Sequence, residues 1–210
     1  MPRRAQTKSR TRRSARPRPA KGFDFTARMR ELCEDLVARL PELSYIDLSR
    51  VALSFTQARK RVNHGIFATT TPMRFENGAL TGVRRGRKYS VQRLYDPQGV
   101  EMLYIISFYL PRFMDMGFRE KLITIVHELW HISPNFDGDL RRHEGRCYAH
   151  TYSQKEYDAE MGCMVDRWLD LCPPPTIYEY LHENFDSLEQ RHGGIFGVKI
   201  PHPKLILVNR

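Results

Sequence analysis

Apolar residues recur at the helical spacing of three and four positions in three stretches of the chain, and each stretch predicts an amphipathic helix. The first covers residues 25–40, with Asp24 as a plausible cap and Pro41 as its end. The second runs from residue 118 to residue 131, after Gly117. The third opens with a capping box at residues 153–156 and stops at the prolines of 173–175. The same capping pattern at residues 176–179 predicts a fourth helix that runs towards residue 189.

Between residues 45 and 110 the helical period gives way to short runs rich in β-branched and aromatic residues. These runs predict strands at residues 50–55, 65–70, 88–94 and 101–108, separated by turns at Asn77-Gly78, Gly82, Gly86 and residues 96–99. We expect one small antiparallel or mixed sheet of about three to five strands, with its last strand nearest the second helix. Residues 195–208 look extended, but Pro201 and Pro203 argue against a central strand there. The pattern predicts an α+β fold.

Length and composition fit a soluble protein with one folded domain. The chain has 210 residues, of which 41% are hydrophobic, and no apolar run approaches the roughly 18 residues needed to span a membrane. Its basic N-terminus lacks the apolar segment of a secretory signal. The cysteines contain no CxxC pair and are expected to be reduced thiols: Cys33, Cys147, Cys163 and Cys172. A cytoplasmic protein is the expectation.

The net charge of +10 is concentrated at the N-terminus. Residues 1–21 hold nine Lys and Arg and no acid, so 10 minus 9 leaves about +1 for the rest of the chain. We predict a disordered basic arm over residues 1–22 and a folded domain over residues 23–210. The arm could bind nucleic acid by displacing counterions from phosphates, or it could serve only as a solubilising tail. Basic clusters at 59–61 and 84–88 could extend a phosphate-binding track or form a solvated face.

The second predicted helix ends in His127-Glu128-Leu129-Trp130-His131, an HExxH motif. Residues four apart share one face of a helix, so His127 and His131 can direct ring nitrogens at one metal ion. Glu128 lies one position round the helix, where it can hold a metal-bound water. This arrangement suits Zn²⁺ with one open side, and it indicates hydrolysis with Glu128 as general base. The alternative for the same motif is a pair of histidines that binds no metal.

Two histidines do not complete a catalytic zinc site, which usually has three protein ligands. Candidates for the third ligand lie downstream: Asp137, His143, His150, Glu156 and Glu160. Asp137 stands six residues after His131, where compact zinc proteases place a ligand after a glycine turn, but Pro134 occupies the glycine position. His143 lies in a loop that is long enough to return to the metal.

Further polar residues of the same segment could assist the reaction. A developing oxyanion needs a donor besides the metal. The nearest donors in the sequence are Arg146, Tyr148, His150 and Tyr152. Asp139 or Glu144 could orient a ligand imidazole by accepting its second N–H.

Residues 123–157 carry a family resemblance. HELWH, followed by a loop and His143-Glu-Gly-Arg-Cys-Tyr148, resembles the SprT-like zincins. The whole stretch, with DGDLRRH at 137–143 and HTYSQKEY at 150–157, is still more similar to the phage-type metallopeptidases of bacteria and their viruses. The chain lacks the paired-cysteine zinc ribbon that follows the protease core in many SprT-like proteins, so their partners are not assumed.

The resemblance implies a zincin-like fold, in which a sheet lies above an active-site helix and a substrate cleft runs between them. It also implies His127, His131 and His143 as zinc ligands and Glu128 as the catalytic residue, with His150 as the rival third ligand. We therefore expect a zinc-dependent metallopeptidase that acts on a protein or peptide substrate. The alternatives are a nucleic-acid-associated protein with a structural zinc and no protease activity, and a hydrolase acting on a non-peptide bond. A fourth protein ligand such as Cys147 or Asp137 would favour the structural role.

Overall fold

Four α-helices and eight short strands form the part of the chain described by this computed structural model, residues 22–58, 62, 64–142 and 154–208. The helices are α1 (Phe25–Arg39), α2 (Phe118–Trp130), α3 (Gln154–Asp170) and α4 (Phe185–His192). The strands are β1 (Phe23–Asp24), β2 (Val51–Gln57), β3 (Ala68–Pro72), β4 (Thr81–Arg84), β5 (Arg87–Val91), β6 (Tyr104–Leu110), β7 (Ile195–Phe196) and β8 (Leu205–Leu207). The predicted α+β class is confirmed.

Several predictions fall outside the described residues. They concern the basic arm up to residue 21, the cluster at 59–61 and the segment 143–153. The expected nucleic-acid partner depends mainly on the arm and stays a prediction. Within the described ranges, no helix has the length and apolar character needed to cross a membrane.

Helix α1 forms where the sequence predicts it. The Asp24 carboxylate accepts a hydrogen bond of 3.1 Å from the backbone N–H of Ala27, which caps the first turn. Pro41 follows the last residues of the helix and cannot continue its hydrogen bonding. Helix α1 packs against β2, and its apolar side is fully buried in the main core through Phe25, Met29, Leu32, Cys33 and Leu36.

Three of the four predicted strands form the expected small mixed sheet, but the fourth, predicted at 88–94, belongs to a second sheet. The central sheet has the order β2-β6-β3, with β2 parallel and β3 antiparallel to β6. A second sheet, β4-β5-β8, is antiparallel, and β1 pairs with β7. Alternating apolar residues indicate a strand but do not identify its partner. The sequence pattern therefore could not assign the strands to separate sheets.

Strand β4 replaces the turn that was predicted at Gly82. Gly82 pairs with Tyr89 of β5, and the ring of Phe75 lies where a side chain at position 82 would be. The true turn is at Arg85 and Gly86, which have φ angles of 49° and 72° and connect β4 to β5. At the C-terminus, β8 is an edge strand, as the prolines predicted.

Helix α2 lies against β3, at the edge of the central sheet. Its apolar stripe is fully buried through Leu122, Ile125, Val126 and Leu129. The sequence interpretation placed the last strand of the sheet nearest to this helix, and that was wrong. Strand β6 is bonded on both sides and therefore occupies the centre of the sheet, which leaves β3 beside the helix.

The C-terminal helices follow the prediction only in part. Helix α3 ends before the three prolines, but the next helix begins at Phe185 rather than near residue 176. Two short 3-10 turns, Pro175–Ile177 and Glu179–His182, occupy the intervening segment. Asn184 supplies the actual cap, because its side chain accepts a hydrogen bond of 2.9 Å from the N–H of Ser187.

Candidate active site

The two histidines of the HExxH motif lie at the C-terminal end of α2, with His131 as the first residue after the helix. Their Nε2 atoms are 2.9 Å apart, and their ring planes are inclined by 82°. A Zn–N bond is about 2.0–2.1 Å long, so one ion can contact both nitrogens at this separation. The structure therefore brings His127 and His131 together in a way that fits a shared metal ion.

Glu128 is buried beside this pair, with 6% of its surface exposed. The hydroxyl group of Thr70 lies 2.8 Å from Glu128 Oε2 and 2.7 Å from the backbone oxygen of the same residue. Burial raises the pKa of Glu128 to about 7, although the hydrogen bonds from Thr70 act in the opposite direction. A buried carboxyl group whose pKa lies near neutrality can take up and release a proton.

The three motif residues line a cleft of about 670 Å³ between α2 and the edge strand β3. The strand side is formed by residues 65–70, and the helix side includes Ile123 and Thr124. The walls are largely apolar, through Ile66, Phe67, Ala68, Met116, Ile123 and Leu140. A metal ion held by the histidines would face this space, which is large enough to admit part of an extended peptide.

Arg141 fastens the loop after α2 to the end of that helix. Its backbone N–H donates to the carbonyl oxygen of His131 over 2.7 Å. Its Nε donates to the Trp130 carbonyl over 2.9 Å, and its guanidinium carbon lies 3.7 Å from the centre of the Trp130 ring. Its Nη2 donates to the Tyr45 hydroxyl over 2.9 Å, and that hydroxyl in turn donates to the Ile132 carbonyl over 3.0 Å. The guanidinium thus bonds the Trp130 carbonyl at the C-terminal end of α2, where the helix dipole favours positive charge.

Asp139 holds the far side of the same loop. Its buried carboxylate accepts hydrogen bonds from Asn77 N at 3.0 Å and from Arg142 Nε at 2.9 Å. Its carbonyl oxygen accepts one from the Tyr104 hydroxyl at 2.9 Å, which itself accepts one from Gly138 N. The Asp139 carboxylate therefore holds the loop in place. The sequence interpretation had instead proposed that it orients a ligand imidazole.

The remaining candidates are not brought to the histidine pair by the described residues. Asp137 lies against Gly78, and its carboxylate accepts a hydrogen bond from Asp139 N at 3.1 Å. In the described part of the chain, no third His, Cys, Asp or Glu joins the two histidines in a metal-binding group. Glu160 is exposed on α3. Seven candidates lie outside the described residues: His143, Glu144, Arg146, Cys147, Tyr148, His150 and Tyr152.

Two residues that contact the site were missed by the sequence interpretation. Thr70 was assigned to a strand but given no role, because it is 58 positions from Glu128 and no local pattern joins them. Arg141 was read only as part of the loop that carries His143. Its partner Tyr45 is 96 positions away. Contacts over such distances depend on the fold and leave no periodic signal in the sequence.

Comparison with models of known families finds a match. A model of the family described as "putative phage metallopeptidase" matches residues 25–166, about two thirds of the chain. The match extends from α1 through the central sheet and α2 into α3, so it includes both histidines and Glu128. The protein is thus of the metallopeptidase class, and the chain belongs to the phage metallopeptidase family. Searches of curated proteins and of solved structures find no match.

Proposed function

We propose that the chain is a zinc-dependent metallopeptidase with a zincin-like domain over residues 23–210, and that it hydrolyses peptide bonds in protein substrates. The observation that carries this proposal is the pair of Nε2 atoms 2.9 Å apart, next to a buried glutamate at the wall of a cleft of about 670 Å³. Metallopeptidase family membership supports both a metal and a protein substrate.

His127 and His131 are the proposed zinc ligands, with His143 as the third and His150 as its rival. Two imidazoles suit Zn²⁺, and a site with three protein ligands keeps a position for water. When bound, zinc supplies a Lewis acid for the substrate carbonyl and lowers the pKa of its water. Arg141 supports this assignment, because it returns the chain to the end of α2 only two residues before His143.

Glu128 is the proposed general base. Thr70 engages Oε2, which leaves Oε1 to accept a proton from the attacking water and to deliver it to the leaving amine. Strand β3 supports the binding of a peptide, because its outer edge has no partner strand in the described part of the chain. An extended substrate can pair with such an edge, and main-chain hydrogen bonds would then hold it along the cleft.

The decisive experiment compares the wild-type chain with Glu128→Gln. Both proteins are incubated with zinc and a peptide library, and new termini are identified by mass spectrometry. We expect cleavage by the wild type and a loss of about a thousandfold or more in the variant, because the substituted amide cannot take the proton. Glu34→Gln, at an exposed position of α1, is the matched control and should cleave normally. Equal cleavage by Glu128→Gln would contradict the proposed mechanism.

Metal analysis of the same preparations tests the ligand set. Glu128→Gln should retain its zinc, whereas His143→Ala should lose it and His150→Ala should keep it. The reverse result for the last two variants would assign the third ligand to His150. Normal zinc content in a His127→Ala and His131→Ala double variant would exclude the proposed metal site.

A further inference from the structure

A second cleft, of about 990 Å³, lies on the opposite face of the central sheet from the helices. Its floor is formed by β2, β3 and β6, and its walls by β4, β5 and the C-terminal segment 200–205. Thr69 and Thr70 of β3 line both this cleft and the one that contains the histidines. The two clefts therefore adjoin each other across a single edge strand.

The floor of the second cleft is a strip of hydroxyl groups. They belong to residues that point away from the main core: Thr56, Thr69, Thr71, Ser107 and Tyr109. Thr69 pairs with Ser107 and Thr56 pairs with Tyr109, so the strip continues across all three strands. Within the described part of the chain, none of these hydroxyls has a hydrogen-bond partner. They are available as donors to a ligand.

The charges around the strip are positive. Arg84 lines the cleft and forms no ion pair with the described residues. The other lining cation, Arg74, is paired with Glu101 at 2.7 Å. Of the lining residues that the structure describes, none is an Asp or a Glu. Hydroxyl donors with an unpaired guanidinium suit a ligand that carries carboxylates.

We propose that this second cleft is an exosite for an acidic segment of the substrate protein. The inference rests on the proposed function, because a polypeptide that passes the metal pair can continue over β3 into the adjoining cleft. A polypeptide fits better than a single-stranded nucleic acid, which needs exposed aromatic faces for stacking. Among the described lining residues, only Phe75, Tyr109 and His202 have aromatic rings, and the ring of Phe75 is packed against Gly82.

Binding of a labelled decaglutamate peptide tests the exosite. The full-length chain carries Glu128→Gln, so that no cleavage occurs, and fluorescence anisotropy gives the dissociation constant at low salt. Arg84→Glu should weaken binding about tenfold, because it replaces attraction by repulsion. Lys88→Glu is the matched control: it makes the same charge change on the same hairpin, but on the other face of the sheet. It should weaken binding less than about twofold.

An uncharged variant and a competitor complete the experiment. Thr71→Val removes one floor hydroxyl at nearly constant volume and should weaken binding about threefold. Equal effects of Arg84→Glu and Lys88→Glu, or no effect of Thr71→Val, would overturn the exosite. It would also be overturned if a dT10 oligonucleotide bound more tightly than decaglutamate and lost that affinity with Arg84→Glu. Binding is measured without cleavage, so an inactive wild type would refute the proposed function and leave this result intact.

Discussion

One hydroxyl group, that of Thr70, connects the edge strand β3 to both the backbone and the side chain of Glu128. The two contacts are 2.7 and 2.8 Å long, so the strand and the last turns of α2 are held at a fixed spacing. Thr70 occupies the face of β3 that looks towards the core, because it pairs with the buried Ile106 of β6. A shift of the strand by one residue would replace it with a neighbour that faces the second cleft.

We predict that Thr70→Val lowers the turnover number about tenfold without a matching change in zinc content. The substitution removes the donor that holds Glu128 Oε2 but keeps the shape of the side chain, and a hydrogen bond to a charged group contributes about 1.5–3 kcal/mol. Steady-state kinetics on a peptide cleaved by the wild type provides the measurement. Thr70→Ser keeps the hydroxyl and should recover most of the rate. If the valine and serine variants were equally impaired, the role of the hydroxyl would be refuted.

The C-terminal end of helix α2 is held by a residue outside the helix, Arg141. A helix leaves its last carbonyl groups without intrahelical partners. Arg141 satisfies those of Trp130 and His131, and its stacking on the Trp130 ring fixes the guanidinium in place. Since His131 is one of the proposed zinc ligands, we propose that Arg141 is a positioning residue for the metal site.

We predict that Arg141→Met weakens zinc binding about tenfold, as the loss of residues that orient metal ligands typically does. Competition with a chromophoric chelator measures the affinity, and thermal unfolding of the metal-free protein measures the stability. Arg119→Met, which removes an exposed ion pair with Asp166 at the start of the same helix, is the control. It should change neither quantity greatly. A purely structural role for Arg141 would lower the unfolding temperature and leave the zinc affinity of the folded protein unchanged.

The helices were more predictable than the sheets, because helical periodicity and capping are local. Asp24 and Pro41 mark the two ends of α1 in the sequence. The spacing of four residues places His127 and His131 on the same face of α2. Strand pairing is different, because Val51 pairs with Tyr104 from a distant part of the chain. No pattern of residues in the sequence predicts which strand will be the partner. For the same reason the motif residues could be identified from the sequence, but the contact from Thr70 could not.

At the scale of the whole molecule, a small hydrophobic cluster and an ion network join the two sheets that enclose the second cleft. The buried residues of the cluster are Ala52, Met73, Met102 and Ile105, and Val91 of β5 packs against them. In the network, Glu101 lies 2.7 Å from Arg74, which follows β3, and 2.6 Å from Arg93, which follows β5. Arg74 and Glu101 have only 9% and 12% of their side chains exposed, so this pair is better shielded than a surface ion pair.

The ion network should make the stability of the protein sensitive to acid. Hydrogen bonds from Arg93, and then Arg74, lower the pKa of Glu101 from 4.5 to about 2. A carboxylate with a lowered pKa stabilises the folded state above its unfolded pKa, and that contribution is lost as the pH falls towards about 2. We therefore predict that Glu101→Gln reduces the free energy of unfolding by about 2 kcal/mol at pH 7 and that the difference disappears near pH 2. Urea unfolding followed by circular dichroism over this range provides the measurement.

Glu76→Gln, at a side chain that is 68% exposed and 3.7 Å from Arg142, is the control and should leave the free energy of unfolding almost unchanged at any pH. If the free energy of unfolding of Glu101→Gln stayed below that of the wild type by the same amount down to pH 2, lost packing and not the lost charge would be the cause of the destabilisation.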